Sequence, residues 1–340
     1  MLIHLFVCLV LLIFRVFFIE DYGVEDSSFR GSGIHDLDDE APNNGHRLEP
    51  LSTFSRSSLP IIPPHTDFMF RYVRHVRASY CSLPNVQIVN IGSTLAIVEY
   101  DTVLQSIVVS FRGSKDWINW FDNLQWAQTA PWYTVPHVKV HRGFWQAYMR
   151  IRKKLPAAIT SVIQANRETI MESPESKGDG VAGRDVPVTV TGHSLGGALA
   201  MLFALDSVLT KTMKKLKFSV ASVVTFGAPR VGNLQFVNLF NSNIPNMWRV
   251  IHTNDIIPLV PEKKMPCLTP SRYHHFEHAG TLHVFDPDFQ TLSLVCTPGK
   301  AHPECDNYDS SVANRLRLLN SIQSHLIYFN TSLSNCSLLL

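Results

Sequence analysis

Val186-Pro187-Val188-Thr189-Val190-Thr191-Gly192-His193-Ser194-Leu195-Gly196-Gly197-Ala198-Leu199-Ala200-Met201-Leu202-Phe203-Ala204-Leu205 is the stretch on which the fold turns. Its first six residues are Val- and Thr-rich and read as a strand. Its last eight are Ala- and Leu-rich and read as a helix. Between them stands G-x-S-x-G, the signature of a sharp strand-to-helix turn that lifts a serine hydroxyl above a sheet. Glycines two residues either side of Ser194 remove the side chains that such a turn would crush. The hydroxyl then faces the positive end of the following helix dipole, and the Leu195 backbone N–H points where an oxyanion would form. An ordinary tight turn with a spectator serine is the competing reading, and only partners elsewhere in the chain decide between them.

Outward from this turn, strand-like runs lie at Val86–Asn90, Thr94–Tyr100, Leu104–Phe111, Val186–Thr191, Phe218–Phe226 and Met247–His252. Helical patterns fill Gly143–Asn166, Gly197–Thr212, Asn233–Asn241 and Asp309–Phe329, and Ser173–Asp185 reads as a polar surface loop. Apolar strands separated by amphipathic helices predict an α/β fold, with a mostly parallel sheet covered on both faces. The composition agrees with a large hydrophobic core: 340 residues, 45% hydrophobic and 17% charged, with a net charge of +2. No basic run marks a nucleic-acid partner, and six cysteines are too few for a disulfide-built miniprotein. No dinucleotide or phosphate loop is seen, so no cofactor is expected.

The N-terminal end is of another kind. Residues 1–19 are apolar except for His4 and Arg15, and read first as a cleaved secretory signal, second as an uncleaved anchor. Residues 20–65 carry Gly, Pro and an acidic run without apolar periodicity, and read as a linker or pro-segment. That leaves residues 66–340 as one domain. Asn330-Thr331-Ser332 and Asn335-Cys336-Ser337 are glycosylation sequons, consistent with secretion.

A nucleophilic serine needs a base and an orienting acid, which in α/β-hydrolase order follow it as acid and then histidine. Asp255 stands just beyond the strand Met247–His252, and His325 stands in or beside the last helical segment. His252 is the nearest rival base, but it precedes the acid and breaks that order. His274, His275, His278 and His283 invite a metal reading; no Cys or acidic partner stands at zinc-like spacing, so turn or solvated histidines are preferred and no metal is expected. Cys296 and Cys305 flank a short Pro- and Gly-containing loop that a disulfide can close. Cys8 falls in the leading apolar segment.

Six stretches in one order carry a family resemblance: Val109-Ser110-Phe111-Arg112-Gly113-Ser114, Val140-His141-Arg142-Gly143-Phe144, Val190–Gly197, Phe226-Gly227-Ala228-Pro229-Arg230-Val231-Gly232, Asn254-Asp255-Ile256-Ile257-Pro258 and His325-Leu326-Ile327-Tyr328-Phe329. The chain resembles the class 3 lipases, the fungal-lipase-like triacylglycerol lipases, over about residues 105–329. The resemblance implies an α/β-hydrolase fold, a triad of Ser194, Asp255 and His325, and an oxyanion hole formed by the N–H groups of Ser114 and Leu195. It also implies a late strand pair after His278-Ala279-Gly280 and a clasp between Cys81 and Cys336, which leaves Cys267 odd.

Trp117, Trp120, Phe121 and Leu124 fall on one face of a helix, with Asp116, Asn119 and Asn123 opposite. Core packing is the plain reading of such a stripe. Its place after the oxyanion turn matches the family's lid, which implies a cover that opens on a lipid surface. The expected activity is therefore hydrolysis of acylglycerol esters at an oil–water or membrane interface. A phospholipase A1, a soluble-ester carboxylesterase and an inactive lipid-binding homologue remain as alternatives.

Overall fold

The computed structural model describes residues 66–81, 86–114, 127–172, 185–210, 218–252, 255–261, 275–286, 292–298, 305 and 325–336. All belong to one of the two units into which the chain divides, formed by Pro60–Met265 with Pro270–Leu340. The leading segment and linker, the aromatic stripe at Trp117–Leu124, most of the polar loop before the central strand, His274, Cys8, Cys267 and residues 309–324 lie outside the described residues.

Among the described residues eight strands form the main sheet: β1 (Gln87–Ile91), β2 (Thr94–Asp101), β3 (Ser106–Phe111), β6 (Val186–His193), β7 (Phe218–Phe226), β8 (Met247–His252), β9 (Thr281–Phe285) and β10 (Leu292–Cys296), in the order β1-β2-β3-β6-β7-β8-β9-β10. The pairs β3/β6, β6/β7, β7/β8 and β8/β9 are parallel, whereas β1/β2, β2/β3 and β9/β10 are antiparallel. The parallel strands thus occupy the middle, where both faces are covered, and the antiparallel strands close the edges. Two short pairs stand apart: β4 (Gln128–Thr129) with β5 (Val140–His141), and β11 (Ile327–Tyr328) with β12 (Thr331–Ser332).

Helices follow in chain order as α1 (Thr66–Cys81), α2 (Arg142–Arg152), α3 (Leu155–Ala165), α4 (Arg167–Glu172), α5 (Leu195–Leu209) and α6 (Leu234–Asn243). Strand pleating sends alternate residues to opposite faces. Val223 and Met247 join α2, α3, α5 and α6 in one core; Val224 and Val250 join α1 and the β11–β12 hairpin in another. Every side chain of α5 from Gly196 to Ser207 is buried, which explains why that helix is apolar all round rather than striped. Its one carboxylate, Asp206, accepts from Trp132 Nε1 (3.0 Å), Tyr148 Oη (2.7 Å) and Arg152 Nε (2.7 Å). A buried charge so surrounded is satisfied rather than stranded.

Several boundaries differ from the sequence expectation for local reasons. The helix expected over Gly143–Asn166 is two helices, α2 and α3. Pro156 sits in the first turn of α3, where its missing N–H costs nothing but continuation of α2 through it would. Strand β3 begins at Ser106 instead of Leu104, because Asp101 Oδ1 accepts the N–H groups of Val103 and Leu104 and holds that segment in a turn. The last helix does not run to Phe329. Residues 327–332 form the β11–β12 hairpin, turned by Phe329 and Asn330 with φ of 50° and 55°, the positive-φ pair that tight hairpins require. Helix α1 was not expected at all.

Candidate active site

Strand β6, at the middle of the sheet, delivers Ser194 at its carboxyl end, where α/β sheets present reactive groups. The serine has φ 57° and ψ −129°, a conformation that a side-chain-bearing residue holds only when its surroundings impose it. They do. Ser194 N–H bonds to the Phe226 carbonyl of β7 at 3.0 Å, and the Ser194 carbonyl accepts Gly197 N–H at 3.0 Å to start α5. A Cβ on Gly192 would press into the Gly196 carbonyl, and one on Gly196 into the Phe111 carbonyl at the end of β3. Backbone therefore packs on backbone on both sides of the nucleophile. Ser114, half-buried, closes the turn after β3, and Leu195 begins α5.

Asp255 follows β8 and is buried. His325 Nδ1 is 2.9 Å from each of its carboxylate oxygens, Tyr328 Oη donates to Oδ2 at 2.6 Å, and Ile257 N–H donates to Oδ1 at 2.9 Å. Burial alone would raise the carboxyl pKa. Its electrostatic interaction with His325 and the hydrogen bonds from His325 and Tyr328 outweigh it, so Asp255 is held below the usual carboxylate range and stays ionised. Because the carboxylate only accepts, Nδ1 of His325 carries a proton and, in the neutral ring, Nε2 is left as the base. That Nε2 is buried and has no hydrogen-bond partner among the described residues. The His325 ring packs beside His193, the residue preceding the serine, at a centroid distance of 4.3 Å. Ser194, His325 and Asp255 are thus gathered at one end of the sheet. Ser194 Oγ and His325 Nε2 are not hydrogen-bonded to each other.

The family model for class 3 lipases matches residues 108–265. Over those residues the chain is similar to the class 3 lipases. It is 29% identical to a lipase of Rhizomucor miehei over 247 residues, 73% of this chain and 58% of that relative. It is 27% identical to the secreted mono- and diacylglycerol lipase 1 of Fusarium solani over 297 residues, 80% of this chain and 78% of that one. The chain therefore spans little more than half the length of the first of these curated relatives. The solved R. miehei triacylglyceride lipase superposes with a TM-score of 0.57 at 25% identity, covering 80% of this chain and 97% of that one. The fold is the α/β-hydrolase fold.

Among the described residues two disulfides brace the fold, Cys81–Cys336 and Cys296–Cys305. His252 is buried near the acid, its ring edge-on to Tyr328 at 5.3 Å. Among the described residues no group of three His, Cys, Asp or Glu side chains could hold a metal ion. His278 Nε2 donates to the Pro258 carbonyl at 2.7 Å, and burial pushes the His283 imidazole down to about 4. Also among the described residues, no helix is long and apolar enough to cross a membrane.

Two functional neighbours escaped the sequence reading. Tyr328 was quoted within a motif but given no role. Gly227 has φ +55°, and a Cβ there would overlap Asp255 Oδ2, lie 2.7 Å from Tyr328 Oη and 3.0 Å from His325 Cε1. The glycine is what lets acid, phenol and imidazole share one space. The Gly-Ala-Pro run after a strand was its only available signal.

Proposed function

We propose that this chain is a secreted serine lipase that hydrolyses the carboxylic ester bonds of acylglycerols through an acyl-enzyme on Ser194. The observation that carries it is the buried His325 Nδ1 contact with an ionised Asp255, which leaves Nε2 basic beside the nucleophile turn. In the first step Ser194 Oγ bonds to the ester carbonyl carbon as its proton passes to His325 Nε2. The carbonyl electron pair collects on oxygen, facing the N–H groups of Leu195 and Ser114. Collapse of this intermediate expels the alcohol, which takes the proton from Nε2. Water then repeats the cycle: it gives a proton to His325, attacks the acyl carbon, and releases the fatty acid and free Ser194. Asp255 remains ionised throughout and stabilises the imidazolium.

Acylglycerols are the substrate class because relatives named for mono-, di- and triacylglycerols match 80% of this chain, whereas those named as phospholipases A1 match 46%. Trp117, Trp120, Phe121 and Leu124 serve as the apolar face of a lid over Ser194, released when the substrate forms an interface. Residues 1–19 act as a secretory signal and residues 20–65 as a linker ahead of the catalytic domain, 66–340. The secreted relative and the two disulfides support export to an oxidising compartment.

The test is purified protein and its Ser194→Ala variant against triglyceride, phospholipid and short-chain ester panels. Hydrolysis of acylglycerols by the parent and none by the variant is expected; equal turnover by both removes the mechanism, and a preference for phospholipid replaces the substrate class. Activity on a short-chain ester that rises sharply once the ester exceeds its solubility supports the lid. A rate that follows concentration smoothly through that point removes the lid alone.

A further inference from the structure

His193 lies beneath the nucleophile turn, fully buried. Its Nε2 is 2.7 Å from the backbone carbonyl oxygen of His325, and its Nδ1 is 2.9 Å from the hydroxyl of Tyr80. A carbonyl only accepts, so Nε2 carries the ring's proton. A neutral imidazole has one N–H, so Nδ1 is a bare lone pair and the Tyr80 hydroxyl must donate to it. Burial, and next the charge of His325, hold the His193 pKa well below the ordinary histidine range. The ring therefore stays neutral and keeps this proton pattern. The Tyr80 hydroxyl in turn rests against Gly113, where a Cβ would overlap it. Polarity is fixed along the line: Tyr80 O–H to His193 Nδ1, and His193 Nε2–H to the His325 carbonyl.

Both ends of this line are catalytic ground. A Cβ on Gly113, the residue before Ser114, would overlap the Tyr80 hydroxyl, lie 2.8 Å from the His193 carbonyl and 3.1 Å from Ser194 Cβ. At the far end the accepting carbonyl belongs to the base itself. The line is also anchored. Cys81, next to Tyr80, is bonded to Cys336; Arg77 Nη2 donates to the Asn335 carbonyl at 3.0 Å; and Phe70 packs on Phe329 at 5.3 Å. Helix α1 thus grips the segment that carries His325 at several points, and the Tyr80–His193 pair is the grip closest to the chemistry.

We propose that Tyr80 and His193 are positioning residues of the ester hydrolysis, forming a hydrogen-bonded strut that sets the spacing between the oxyanion turn and the His325 backbone. The proposal rests on the reading of Ser194, Asp255 and His325 as a triad. In the transition state His325 has to meet Ser194 Oγ and the leaving alcohol while the oxyanion rests on the Gly113–Ser114 turn, so an error in that spacing falls on the chemical step. Neither strut residue donates to the reacting ester, so the effect belongs in kcat rather than KM.

Tyr80→Phe tests this, because it keeps the ring and removes only the hydroxyl. Parent and variant are assayed on a soluble p-nitrophenyl ester and labelled with a p-nitrophenyl phosphonate ester, whose adduct reproduces the tetrahedral geometry. Rates are expressed per Ser194 titrated, so loss of folded protein does not enter. The expected result is a kcat lower by about tenfold with KM changed less than about twofold, and phosphonylation slowed by the same factor, since a buried acceptor loses its donor. His193→Gln, whose amide N–H can still reach the His325 carbonyl, is expected to be faster per titrated site than His193→Leu. A Tyr80→Phe variant with parental kcat and phosphonylation rate, or a change confined to KM, overturns the strut while leaving the triad intact. A parent protein that the phosphonate fails to label at Ser194 overturns the triad reading itself.

Discussion

Replacing Gly227 by alanine places one methyl group where the acid, its phenol partner and the imidazole meet. The built Cβ overlaps Asp255 Oδ2, stands 2.7 Å from Tyr328 Oη and 3.0 Å from His325 Cε1, whereas ordinary contact begins near 3.4 Å. Tyr328 must therefore retreat by about 0.7 Å, and Asp255 by more. The hydrogen bonds in the way are 2.9 Å from His325 to each carboxylate oxygen and 2.6 Å from Tyr328, and retreats of that size stretch them past ordinary hydrogen-bond length. A displacement of that size breaks them, leaving the imidazole without its orienting partner. The φ of +55° adds strain for any residue with a side chain. Together, the left-handed backbone and the overpacking cost about 2–5 kcal/mol of stability. Loss of the acid's hold on the base costs roughly 10²- to 10⁴-fold in kcat. The assay is initial-rate hydrolysis of a soluble ester well below the variant's melting temperature, with circular dichroism to verify that the sheet persists. A folded Gly227→Ala variant that keeps more than about a third of the parental kcat refutes the reasoning.

Tyr328→Phe removes one donor from Asp255, whose carboxyl is held low; its folded pKa then rises towards that of the unfolded chain. Stability present above the unfolded carboxylate range falls by about 1.5–3 kcal/mol, and the gap from the parent closes as pH falls through the carboxylate range; equal stability at neutral pH, read by urea unfolding, contradicts the role given to the phenol. His75 Nδ1 meets Glu99 at 2.6 Å and its Nε2 meets Asp101 at 2.7 Å. Burial lowers its pKa, but the two carboxylates overcome this and raise it. The stabilisation it gives is therefore complete below the unfolded histidine pKa and lost as pH rises through the folded value. The stability gap between parent and His75→Gln, read by urea unfolding, is expected to shrink from about pH 6 to about pH 9; a constant gap refutes the imidazolium. Removing Cys81–Cys336, which spans 255 residues, is expected to lower stability by about 5.5 kcal/mol on the chain-entropy argument, against about 2.6 kcal/mol for Cys296–Cys305, which spans 9. Thermal unfolding of the paired Cys→Ala variants checks the order, and equal shifts would contradict it.

The strand–turn–helix around Ser194 was legible because its signals are local: β-branched residues, two glycines at fixed offsets and an apolar helix. Asp255 could be singled out because it lies just past a strand end, and chain order ranked His325 ahead of His252; the structure brings the Asp255 and His325 side chains together. What surrounds His325 was not legible. The hairpin that follows it has two-residue strands and turns on Phe329 and Asn330, neither of them the glycine that normally marks such a turn. Helix α1 did carry a signal, since Met69, Tyr72, Val73, Val76 and Tyr80 are buried at helical spacing. It was hidden by the interleaved Arg71, Arg74 and Arg77 and by the Pro-rich segment before it. Contacts such as Trp132, Tyr148 and Arg152 around Asp206 join residues far apart in the chain, and no window of sequence contains them.

The central claim is that Ser194, His325 and Asp255 act as one unit, and a crystal structure of the phosphonylated protein tests it most directly. Phosphorus bonded to Ser194 Oγ is expected, with His325 Nε2 within about 3 Å of that oxygen or of the leaving-group oxygen and the phosphoryl oxygen facing the Leu195 and Ser114 N–H groups. Phosphorus on another residue, or an imidazole at 325 turned away from the adduct, would contradict it.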